Sequence, residues 1–382
     1  MSTPRDEDDK NNNLNAGRSR SSERKIVEKH PEFKRANMSF EPKLTPFLKE
    51  TGSPKPNHEG VSTTRWNVES GNKIPSYPLE RTVKVDATTK VVASRVDANI
   101  KKRSVQAEFD SDKARAICVT EGFLKYHVTL FDAGNNQTLV EVQRRKGCSM
   151  EFRRERLAII NAAKGSFTQT QSMPRLTIPP DLVSESKYAP PSYEDITAML
   201  ENIVLSLHAK HRDSKLLALR HVAGMTDIET ANVHTSFNAA KIILDSEIGV
   251  REIITDYLVS GPQDETGIMM RHSGLTILTN CLTLLEKGDK IEELSKKENI
   301  WFTESLFPSL VEDIKRCKSY HNAFLSSKCL CMLLKKSSIV RATAREDDDL
   351  RDILEKAASI GQKNHNKLHD EAESTIRALE CI

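Results

Sequence analysis

The chain has 382 residues, with 57 Lys and Arg against 54 Asp and Glu, and its formal charge of +3 gives no overall field that would select a polyanionic or polycationic partner. Hydrophobic residues make up 37% and aromatic residues 5%, too little for every part of the chain to be packed, while the length has room for two or three domains. No segment approaches the roughly 20 apolar residues of a membrane span, and the polar start MSTPRDEDDK lacks the apolar stretch of a secretory signal, so the expectation is a soluble cytoplasmic protein, with the nucleus as the alternative compartment.

The small net charge hides a division. Residues 1–90 carry 17 Lys and Arg against 13 Asp and Glu, residues 91–170 carry 14 against 9, and residues 171–382 carry 26 against 32. The seven cysteines, Cys118, Cys148, Cys281, Cys317, Cys329, Cys331 and Cys381, are odd in number and scattered, which fits reduced thiols better than a disulfide framework.

Residues 1–90 read as a disordered tail. Only 12 of the first 80 residues are Leu, Ile, Val or Phe, and eight of the fifteen prolines fall there, so the segment has little apolar area to offset the entropy of ordering. Ser19, Ser21 and Ser22 beside Arg18, Arg20 and Arg24 have the pattern of a basophilic kinase target, a pattern common in polar tails.

From residue 91 to 167 a small α+β domain is predicted. Val92, Val96 and Ile100 recur at steps of four, as on a helix. Ala114–Val119, Leu124–Phe131 and Thr138–Gln143 are short runs rich in β-branched and aromatic residues, separated by Glu121-Gly122 and by Asp132 to Asn136, and they read as antiparallel strands. A further short strand around Cys148–Glu151 is expected to lead into a helix with Phe152, Leu157, Ile160 and Ala163 on its core face.

Within this domain Leu139–Phe152, LVEVQRRKGCSMEF, with the preceding FLKYHVTLF, resembles the end of a kinase-associated 1 domain, where a final hairpin runs into the last helix. Arg144, Arg145, Gly147, Glu151 and Phe152 carry the resemblance most directly, and Cys148 departs from it by standing where an acidic residue is common. Such domains in some kinases bind acidic phospholipids through basic surfaces near this region. The resemblance therefore implies an anion or lipid site at Arg144, Arg145, Lys146, Arg153, Arg154 and Arg156, which face only Glu151 and Glu155 in sequence. Free N–H groups at the start of the helix would favour an anion there. Two other uses of the same charge are a solvated basic surface and an intramolecular contact with the acidic run Glu346-Asp347-Asp348-Asp349.

Residues 168–191, with Pro174, Pro179, Pro180, Pro190 and Pro191, read as a semi-rigid linker. Ser192 with Asp195 makes a capping box ahead of Ile196, Met199, Leu200, Ile203, Val204 and Leu207, which trace one helical face. Helical faces then recur to the end, in units beginning near Tyr193, Thr230, Arg271, Thr303 and Glu346. Uneven spacing of about 40 residues suits an all-α solenoid of armadillo or HEAT type over residues 192–382. LLALRHVAGMTD and SGLTILTNCLTLLEKGD resemble armadillo helices in broad character.

Motifs that suggest enzymes lack their partners. His211-Arg212-Asp213 with Lys215 imitates a kinase catalytic loop, but Ala218 stands at the metal-binding Asn and no glycine-rich loop or Asp-Phe-Gly is present, so Asp213 reads as a helix cap. Asn322-Ala323-Phe324 has the letters of a motif that precedes the kinase-associated domain in some plant kinases, but here it follows the domain. Cys317, Cys329 and Cys331 lack zinc-site spacing and read as core filling. His365 and His369 share a spacing of four without a third ligand and read as a solvated helix face. No catalytic residue, cofactor or metal is therefore assigned. The expected function is a non-enzymatic scaffold that binds a protein partner, with anionic phospholipid as the alternative ligand; nucleic acid is disfavoured because the basic cluster has no interleaved aromatics for base stacking.

Overall fold

The computed structural model describes residues 65–76, 79, 82–166, 190–245, 248–262 and 264–381. Ser19, Ser21, Ser22, most of the tail and nearly all of the proline linker lie outside the described residues.

The α+β part runs β1 (Thr82–Val85), α1 (Thr89–Lys102), β2 (Gln106–Asp110), β3 (Arg115–Val119), β4 (Lys125–Asp132), β5 (Thr138–Lys146) and α2 (Ser149–Ala163). The strands form one antiparallel sheet in the order β1-β5-β4-β3-β2. Alternation sends Ala116, Cys118, Tyr126, Val128, Leu130, Val140 and Val142 to the side that meets Val92, Val96 and Ile100 of α1 and Phe152 and Ile159 of α2.

Three expectations are corrected. The fold starts before residue 91: β1 supplies an edge strand, and Trp66 and Val68 are buried in the sheet core. Composition averaged over 80 residues hides so few core residues. Cys148–Glu151 is not a strand; Cys148 is the N-cap of α2. Gly147 turns the chain at φ +104°, where a Cβ would come within 2.7 Å of the Leu124 Cα, so β5 ends and a helix starts in its place. Leu157 leaves the core face for solvent, because Ile159 fills the position over the sheet.

The rest is helical: α3 (Tyr193–Leu207), α4 (Arg212–Thr226), α5 (Val233–Leu244), α6 (Val250–Ser260), α7 (Glu265–Lys287), α8 (Ile291–Lys297), a π-helical segment Trp301–Leu306 running into α9 (Phe307–Arg316), α10 (Tyr320–Lys336), α11 (Ser338–Glu346), α12 (Leu350–Asn364) and α13 (Asn366–Glu380). Ser192 and Asp195 form the expected capping box. Helix α4 begins at His211 as its cap, which moves Asp213 into the first turn. Asp264 caps α7 through the Gly267 N–H, 2.8 Å away, so this unit starts well before Arg271. Apolar periodicity locates faces, not ends: α3 starts at Tyr193 as expected, where the capping box marks that end, while the starts expected near Thr230, Thr303 and Glu346 shift.

Helix α4 packs on α7, α7 on α10 and α10 on α13, giving a stacked row in chain order, with α3, α5, α9 and α12 packed beside it. One continuous apolar core joins them, and Cys281, Cys329 and Cys331 are buried in it. His365 is also buried: it sits in the break between α12 and α13 and accepts the Leu368 N–H at 3.1 Å as the α13 cap, so it is neither solvated nor on one helix face with His369.

Candidate binding surfaces

The six basic residues do not share one face. Arg144 pairs in register with the buried Tyr126, which places it on the helix-covered side of the sheet, and its Nη1 donates to the Gly147 carbonyl at 2.9 Å. Arg145 points to the opposite side and donates from Nε to His127 Nδ1 at 3.2 Å. Burial, followed by the charges of Arg145, Arg115 and Lys125, pushes the His127 pKa down. Arg115 and Lys125 belong to that second cationic group and were not singled out by the sequence, because the strand register alone brings them beside His127. Lys146 turns to the helical part and pairs with Glu265 of α7 at 3.1 Å.

Arg153 and Arg154 are exposed on α2, and Arg156 is half-buried. They lie in or beyond the second turn, where the helix dipole costs them little. Met150 and Leu157 are 64% and 44% exposed, so positions 150, 153, 154 and 157 form one outward stripe in which two cations lie between two apolar side chains. The spacing was present in the sequence; assigning Leu157 to the core concealed it. The acidic run Glu346 to Asp349 lies at the end of α11 and just after it, and two ion pairs that tie the two parts together, Lys146 with Glu265 and Lys367 with Glu121, use other carboxylates.

A second surface lies at the start of the helical part. Met199 and Leu217 are 42% and 70% exposed on either side of the buried Ile203, lining an open groove of about 830 Å³ between α3 and α4 with Asn202, Ser206 and His221. Tyr193 and Leu205 of α3 and Val233 of α5 are also exposed.

Between the two parts runs a close seam. Arg65 donates from Nε to Asp97 at 2.8 Å and from Nη1 to the Asn364 side chain at 3.1 Å, Tyr320 N–H donates to the Gln106 side chain at 3.2 Å, and Lys367 N–H donates to Ser104 Oγ at 2.9 Å. Lys367 Nζ meets Glu121 at 2.7 Å; burial raises the Glu121 pKa, but this ammonium outweighs it and holds the carboxyl below its usual range. Phe123, at φ +59°, stands edge-on to the His272 ring at 5.0 Å.

A scan against protein-family models, a search of curated proteins and a search of solved structures each return no match for this chain. Among the described residues, no group of three or more His, Cys, Asp or Glu is arranged to hold a metal ion, and no helix is long and apolar enough to cross a membrane.

Proposed function

We propose that the chain is a non-enzymatic adaptor that binds a protein partner along the first helices of its helical part, with the α+β part docked along the row as a targeting element. The carrying observation is the groove between α3 and α4, where Met199 and Leu217 stay exposed beside the buried Ile203. Exposed apolar side chains concentrated on one site favour a protein interface over a solvated face. The ordered packing of α4, α7, α10 and α13 supports reading the array as armadillo- or HEAT-like, a design that presents extended binding surfaces. A photoreactive amino acid placed at position 217 of the full chain in cells is expected to crosslink a discrete polypeptide that the same group at position 355 on α12 does not. The same products from both positions would overturn the reading.

A second reading, a peripheral contact with anionic phospholipid, is favoured by the α2 stripe. Met150 and Leu157 would enter the interface while Arg153, Arg154 and Arg144 meet headgroups, in line with the kinase-associated 1 resemblance. The full chain should then co-sediment with phosphatidylserine vesicles and lose binding as salt rises; equal retention on neutral vesicles would count against it.

A further inference from the structure

We propose that His321 and His365 form a proton-sensitive latch that holds the α+β part against the helical array while both rings are neutral and releases it when either takes up a proton. This goes beyond the adaptor reading and stands without it.

The hydrogen-bond chain has only one satisfied protonation state. His321 Nε2 lies 3.2 Å from the carbonyl oxygen of Val119 at the end of β3; a carbonyl only accepts, so Nε2 carries the proton. In the neutral ring His321 Nδ1 is then an acceptor, and it lies 3.1 Å from His365 Nε2, which must therefore donate. Neutral His365 keeps Nδ1 as an acceptor, and the Leu368 N–H donates to it at 3.1 Å. The chain thus runs from the α13 cap through α10 to the α+β part, with each nitrogen used once. A proton added to His321 goes to Nδ1 and sets an N–H against the His365 N–H. A proton added to His365 goes to Nδ1 and sets an N–H against the Leu368 N–H, which also uncaps α13. Either event leaves a buried donor without an acceptor, in a site whose rings stack edge to face at 4.9 Å.

The groups facing the pair do not offset the added charge. From α7, His272 lies 6.5 Å from the His321 ring and bonds Asn322 Oδ1 at 3.1 Å, while from α13 Lys367 supplies a cation and from α4 Arg220 lies beside His272. Tyr320 and Phe324 of α10 face His365 with their rings. The carboxylate that acts on both rings, Glu121 in the β3–β4 turn, is engaged by Lys367. Burial holds His321 down to about 4 against the opposing pull of its Val119 hydrogen bond, and burial, followed by the charges of His321 and Lys367, holds His365 at about 3. Once undocked, each ring regains its ordinary value near 6.5, so lowering the pH from 7 to 5.5 should raise the released-to-docked ratio about tenfold for each histidine that becomes solvated.

The test is hydrogen exchange on the full chain at pH 7.4 and 5.5, with exposure times scaled for the intrinsic rate. At pH 5.5 the β3–β4 turn and the first turn of α13 should lose ten- to a hundredfold of their protection, while the interior of α7 keeps its own. In His321→Gln with His365→Gln, whose side chains take up no proton in this range, the pH dependence of those two segments should largely vanish. Equal protection of the wild type at both pH values, or an undiminished loss in the double variant, would overturn the latch. Should the variant fail to fold, ring carbon NMR of labelled histidine in the wild type decides: titration in step with the loss of protection supports the latch, and titration without that loss refutes it.

Discussion

The seam and the outward stripe of α2 both carry arginines, yet they obey opposite rules. At the seam the buried charged and ionisable groups each need a particular partner: Arg65 has Asp97 and His321 has Val119, while the pair of Lys367 with Glu121 lies at the solvated rim. On α2 the cations Arg153 and Arg154 are exposed and keep their hydration. Removing a partner at the seam should therefore cost stability, whereas changing charge on α2 should alter binding and leave the fold intact. Burial, not residue type, divides structural charge from available charge.

The largest test of that contrast is Asp97→Ala. Arg65 is only 17% exposed and its guanidinium lies over the Phe109 ring, so losing the carboxylate strands a cation between the two parts. Unfolding in urea should show a loss of about 3 kcal/mol or more. A loss below about 1 kcal/mol would mean that the seam is solvated like an ordinary surface and would erase the distinction.

Acid provides the next test. His321 has its folded pKa lowered to about 4 by burial, so the unfolded chain, near 6.5, takes up its proton first. Stability from the neutral ring is whole above pH 6.5 and declines as pH falls towards 4. Between pH 7 and 4.5 this one group should remove about 2 kcal/mol from the unfolding free energy, and His321→Gln should flatten that portion of the curve.

These contrasts also mark what the sequence made legible. The helix–strands–helix order, the Ser192 capping box and the burial of Cys329 and Cys331 follow from local periodicity and composition and are present, whereas Cys317 is only half-buried because it caps the end of α9. The seam could not be read, because it pairs residues more than 200 positions apart: Val119 with His321, Gln106 with Tyr320, Ser104 with Lys367. His365 looked like half of an i, i+4 pair, and only the helix break between α12 and α13 turns it into a buried cap. Six neighbouring cations looked like one patch, but strand alternation sends Arg144 and Arg145 to opposite faces and Lys146 to α7. Met150 and Leu157 were missed because a helix face of mixed cations and apolar residues matches neither a core stripe nor a solvated one.

A smaller effect is expected at the α13 cap. His365→Asn keeps a side-chain oxygen that can accept the Leu368 N–H but is too short to span to His321, so the cap survives while the link across α10 is cut. A loss of about 1 kcal/mol in urea unfolding is expected, against about 2 kcal/mol or more for His365→Ala, which removes both contacts. Equal losses for the two variants would show that the cap contributes nothing beyond the ring's place in the seam.

On α2 the expected change in stability is the smallest and its sign is reversed. Arg153→Glu with Arg154→Glu exchanges two exposed cations for anions in the second turn, on the side of the helix nearer its positive end. The fold should gain a few tenths of a kcal/mol or stay within about 0.5 kcal/mol of the wild type. The same variant should lose its retention on phosphatidylserine vesicles, because the residues between Met150 and Leu157 would now repel the surface that they had attracted. Measured on one preparation, an unchanged urea midpoint with lost vesicle binding would separate available charge from structural charge. A variant that unfolds earlier would instead show that the α2 cations belong to the fold, in which case the difference between stripe and seam would be one of degree.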